Sequence, residues 1–191
     1  MAEVRPATSA EPAQWLLRAG VRWWDLVRYG APGFDAYVRV AFNPEPLAAD
    51  ARDEDPDEDR LRLALEVLAR HTGTPTTAYA AIWEGWSSGL PSLTAPRVPV
   101  PNRTMLLFTG PVDSMRDAPA LAWQGAGRVN QEPHLVWPDD HAWCVACEVD
   151  EEIEFTVGCD EQTAQALAAA IPGAVRRVGY GDAAPLYRDA H

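Results

Sequence analysis

Lysine is missing from this chain altogether: its 16 basic residues are all arginine, set against 28 acids. The net charge of −12 argues against nucleic acid or an anionic membrane as a partner held by simple attraction. Cysteine is scarce and odd in number, with three in 191 residues, so a disulfide framework is not expected. The start, MAEVRPATSAEPAQ, lacks the apolar core of an export signal, and no run approaches the length of a membrane span. A cytoplasmic protein is the expectation. The motifs GxSxG, GxGxxG, HExxH and the phosphate-binding loop are also missing, and with them any cue to a cofactor.

Tryptophan is plentiful, with eight, and the apolar fraction of 47% is ordinary for a packed domain. Length predicts one domain over residues 1–191, with a flexible start at 1–14. Residues 48–57 read as an acidic loop and 87–102 as a Pro-rich loop or extended arm. The segment DARDEDPDEDR at 50–60 holds seven acids and two arginines, the mark of a solvated loop or of a patch for a basic partner.

Periodicity supplies the elements. FDAYVRVAFNP alternates as a strand, with Ala36, Val38, Val40 and Phe42 on one face and Tyr37 and Arg39 on the other. Leu61, Ala64, Leu65 and Leu68 recur at helical spacing over 57–71, and Gly73 follows as a terminator. TAYAAIWEGW, RTMLLFTGP, AWCVACEVD and EIEFTVG read as further strands. Asp160 is suited to cap EQTAQALAAAI, whose inner stripe is predicted to be Ala164, Leu167, Ala168 and Ile171. QWLLRAGVRWWDLVRYG, broken by Gly and Arg, reads as irregular or short extended chain. The sum is an α+β single domain: a mainly antiparallel sheet of about five strands, with two main helices packed on one face.

The stretch HLVWPDDHAWCVACEVD concentrates reactive side chains. Cys144 and Cys147 match CxxC, yet a period of two sends Trp143, Val145, Cys147 and Val149 one way and Ala142, Cys144 and Ala146 the other. Two sulfurs on opposite faces cannot share a metal ion, so no metal site is expected. Asp139, Asp140 and His141 fall in a turn before this strand. With Glu84 they form the candidate acid–base set of a small hydrolase-type enzyme. Glu148, Asp150, Glu151 and Glu152 read as a solvated acidic turn. Trp23, Trp24, Trp83, Trp86, Trp137 and Trp143 sit at strand ends or beside Gly and Pro, as a binding surface would place them.

AIWEGW, LLFTGP and WPDDHAWCVACEVD followed by FTVGC resemble a family of proteins from high-GC actinobacteria, over roughly residues 34–170. Its marks are WEGW, LFxGP and WPxDxAWCVAxEVD, and no activity attaches to it. This chain has His141 where that pattern has Arg, Cys147 where it has Thr, and Cys159 where it has Gly. The expected function is a non-enzymatic domain that binds a protein or ligand. An immunity-like partner of a basic protein is one form of it, and the hydrolase and a metal-binding protein are the alternatives.

Overall fold

The computed structural model describes residues 3–42, 59–85, 94–122, 132–151 and 153–183. Among these residues nine antiparallel strands form one sheet: β1 (Arg5–Pro6), β2 (Ala36–Ala41), β3 (Ala78–Trp83), β4 (Arg97–Val100), β5 (Arg103–Gly110), β6 (Leu135–Pro138), β7 (Cys144–Ala146), β8 (Glu154–Cys159) and β9 (Val175–Val178). The order across the sheet is β1-β5-β3-β6-β7-β8-β2-β9, with β4 also paired to β5. The fold class agrees with the sequence, but the strand count of about five was too low. β1, β4, β6 and β9 make up the difference, because each is only two to four residues long and has no longer alternating run around it.

One face of the sheet packs against α3 (Arg60–Leu68) and α5 (Glu161–Ala170), the two helices expected there. Asp59 caps α3 by accepting from the Arg62 N–H at 3.0 Å, and Asp160 caps α5 by accepting from the Thr163 N–H at 2.7 Å. Leu61, Ala64, Leu65 and Leu68 are buried against Val38, Val40, Val145 and Val157. On α5 the inner stripe is Thr163, Ala164, Leu167 and Ile171, and the predicted Ala168 is exposed. Trp143 stands on this face, where its Nε1–H donates to the Leu68 carbonyl at 3.0 Å and satisfies an end group of α3.

The other face is covered by the N-terminal segment, which corrects two expectations. QWLLRAGVRWWDLVRYG forms α1 (Gln14–Leu17) and α2 (Trp23–Tyr29), not irregular chain. Its glycines mark helix ends: Gly20 and Gly30 have φ of 69° and 72°, and the Gly30 N–H donates to the Leu26 carbonyl at 2.9 Å. A Cβ at Gly30 would lie 2.6 Å from Cys144 Sγ, so glycine also lets α2 approach the sheet. Nor is the start free over its length, because β1 pairs with Phe108 and Thr109 while Ala7 and Ala13 are buried. Of the Pro-rich stretch, residues 94–102 are described, and Arg97–Val100 pairs with β5 as a regular strand. Pro99 is tolerated because β4 lies at the sheet's edge. The acidic loop 48–57 lies outside the described residues. Among those described, no helix is long and apolar enough to cross a membrane.

Candidate functional site

β6 ends at Pro138, and the chain reverses through Asp139, Asp140 and His141 before β7. The His141 N–H closes the turn on the Pro138 carbonyl at 3.0 Å, and His141 has a left-handed φ of 56°. Glycine favours that conformation, and a side chain there is strained. Asp140 is the turn's structural anchor. Its carboxylate accepts from Thr72 Oγ1 at 2.8 Å, the Gly73 N–H at 2.6 Å and the Ala142 N–H at 3.2 Å. Burial pushes this carboxyl up, but the donors from Thr72, Gly73 and Ala142 together outweigh it and hold it below the usual range.

Asp139 and His141 point instead into a groove of about 540 Å³, shared with Glu11, Gln14, Trp15 and Arg18 of the N-terminal segment. The His141 ring stacks on the Trp15 indole, centroids 4.2 Å apart and planes 16° from parallel. Desolvation lowers the pKa of His141, against the pull of Asp139 and Asp140, which favours the neutral ring. Asp139 accepts from the Tyr79 hydroxyl at 3.0 Å. Burial and this bond push the Tyr79 phenol up to about 12. Trp15 meets Trp137 edge-on at 6.2 Å, and Tyr79 stacks on Trp137 at 5.8 Å. The groove therefore has an aromatic wall of Trp15 and His141, backed by Trp137, with polar and charged groups completing its lining.

Glu84 is not part of it. β3 runs from Ala78, paired with Pro138, to Trp83, so Glu84 lies past the opposite end of that strand, roughly 20 Å away along the chain. There it pairs with Arg97 at 2.7 Å. The four-residue acid–base set is thus split: Asp139 and His141 share the groove, Asp140 holds the turn, and Glu84 stands apart.

The tryptophans divide in the same way. Trp137 and Trp143 are fully buried and belong to the core, not to a binding surface. Trp23 and Trp83 are half-buried and flank Arg103, whose guanidinium lies 5.6 Å and 5.0 Å from their ring centroids. Trp24 stands beside them, edge-on to Trp23 at 5.3 Å and 5.2 Å from the Arg28 guanidinium. Trp86 lies outside the described residues. Trp15, which forms the groove wall, was overlooked because it sits in a segment without clear periodicity.

The acidic turn after β7 is not simply solvated. Glu148 and Glu151 are only 3% and 4% exposed. Arg103 pairs with Glu148 and Asp150, both at 3.0 Å. Arg28 and Arg39 converge on one oxygen of Glu151. Arg39 also approaches Glu154 at 3.2 Å, where Arg176 pairs with it at 2.6 Å. The register explains the crowding, because Thr156, Arg39 and Arg176 stand opposite one another across β8, β2 and β9. Like charges facing each other across strands need carboxylates between them. Burial raises the Glu148 carboxyl, against the stabilising pull of Arg103.

The thiols lie on different faces: Cys147 packs with the α3 and α5 core, and Cys144 packs beneath α2. Ala142 departs from the expected alternation and packs with the α3 side. All three cysteines are free and buried, and desolvation pushes Cys144 and Cys159 up to about 12 and Cys147 well above its ordinary value. No three metal-ligating side chains come together among the described residues. No family model matches the chain, and neither a curated protein nor a solved structure matches it.

Proposed function

We propose that this protein is a binding domain whose partner is a protein, and that it uses the groove between the N-terminal segment and the β6–β7 turn. The observation that carries this reading is His141. A histidine occupies a left-handed position that glycine would fill with less strain, and its exposed ring is spent on stacking against the Trp15 indole in the groove. Backbone strain of this kind, of order 1–3 kcal/mol, persists where surrounding contacts hold it and is concentrated at functional sites. Aromatic surface next to polar groups is also what protein interfaces select.

An immunity-like role against a basic protein accords with the acidic balance of the chain. The test is capture from native lysate by the full chain, compared with Asp139→Arg, a substitution at an exposed groove position. The expected result is a stoichiometric partner retained by the parent protein and lost by the variant. Capture of nothing stoichiometric, or equal capture by both, overturns the groove as the binding surface.

A further inference from the structure

The groove's polar groups are unequal in sign. Glu11 and Asp139 bring two carboxylates to it, and Arg18 brings one guanidinium. Neither acid forms an ion pair with a described residue, whereas Glu84, Glu148, Asp150, Glu151 and Glu154 each do. Asp139 has one oxygen on the Tyr79 hydroxyl, which leaves the other without a hydrogen bond to any described residue. The Trp15–His141 stack presents flat aromatic surface beside these carboxylates. A planar cation suits that combination, because guanidinium both stacks on ring faces and forks onto a carboxylate. The chain already makes this arrangement elsewhere: Arg103 lies over the rings of Trp23 and Trp83 while pairing with Glu148.

We infer that the groove receives an arginine side chain from a basic segment of the partner, stacked on the Trp15–His141 wall and paired with Asp139. The inference rests on the groove being the binding surface, and it adds the chemistry of the residue that enters. The net charge of −12 favours approach of such a segment over long range. Arg18 acts against it, so the two signs of charge in the groove have opposite effects on affinity.

The experiment is a titration of the isotope-labelled full chain with three capped peptides on one Gly-Ser frame. They carry arginine, its uncharged planar isostere citrulline, or glutamate at the same position. The arginine peptide is expected to shift the Trp15 indole N–H and His141 ring resonances and to weaken as salt is added. Asp139→Asn should raise its dissociation constant about threefold, and Arg18→Gln should lower it by a similar factor. Selective binding of the arginine peptide with those opposite shifts supports the inference. Equal or stronger binding by citrulline or glutamate at the same resonances overturns it, while leaving the groove as a binding surface. No response to any of the three peptides counts against the arginine assignment and the groove together.

Discussion

Arg39 and Glu151 form an ion pair in which both side chains are fully withdrawn from water. Arg39 comes from the middle of β2 and Glu151 from the turn before β8, so the pair fastens that turn onto the sheet. Arg28 of α2 joins the same carboxylate oxygen, at 3.0 Å. Taking one partner from a buried pair leaves an uncompensated charge. Glu151→Ala is therefore expected to destabilise the protein by about 3–5 kcal/mol. Replacing Arg39 and Glu151 together by Met and Leu should cost less, because of the two arginines only Arg28 then loses its bond to Glu151. Urea unfolding of the two variants checks this, and a double variant as unstable as the single one would refute the account.

The strain at His141 is tested by comparing two replacements that both lose the ring. Glycine adopts φ of 56° freely, whereas alanine retains the left-handed penalty of about 1–2 kcal/mol. Glycine gives some of that back through unfolded-state entropy. His141→Gly should therefore be more stable than His141→Ala by about 1 kcal/mol in denaturant titration. Equal stability of the two would show that the turn is not strained.

His134 supplies a pH dependence of definite sign. It is buried, and its Nδ1 accepts from the Trp83 backbone N–H at 2.9 Å, a bond that protonation of that nitrogen would break. Desolvation, with the positive charge of Arg103, lowers its pKa from 6.5 to about 3. Above the ordinary value the ring is neutral whether the chain is folded or not. Below it the unfolded chain takes up a proton that the folded chain refuses. Stability should fall as pH drops from 6.5 towards 3, by about 1.4 kcal/mol per pH unit from this group. His134→Asn keeps an acceptor and removes the titration. Between pH 7 and pH 5 the parent should lose about 2 kcal/mol more than this variant. Parallel pH profiles would exclude the histidine as the cause.

The cysteines should be unreactive in the folded protein. Thiolate is the reactive form, and desolvation disfavours it at Cys144, Cys147 and Cys159. A thiol reagent is expected to label none of the three in native buffer and all of them in concentrated guanidinium chloride. Rapid native labelling of any one would contradict the packing described for it.

The α+β class, the strand at Ala36–Ala41, the helix cap at Asp160 and the opposed directions of Cys144 and Cys147 are all legible in the chain, whereas the Asp59 cap falls inside the helix expected over 57–71. Each depends on spacing within a few residues, where the periods of helix and strand are imposed by backbone geometry. The strands at Arg5–Pro6 and Val175–Val178 were not legible, since pairing with β5 and β2 rather than local pattern makes them strands. The same holds for α1 and α2, whose two ending glycines were the overlooked signal.

The candidate site divides on the same ground. Asp139 and His141 fall together in a turn on local grounds alone, because neighbours in the chain are neighbours in space. It took the packing of distant segments to lay Trp15 against His141, carry Glu84 to the far end of β3 and bury Glu148 and Glu151 among arginines from other elements. A carboxylate in an acidic run is solvated by default when read locally. Whether it meets water or an arginine is decided by which strand folds beside it, a long-range choice that no spacing of two or four residues records.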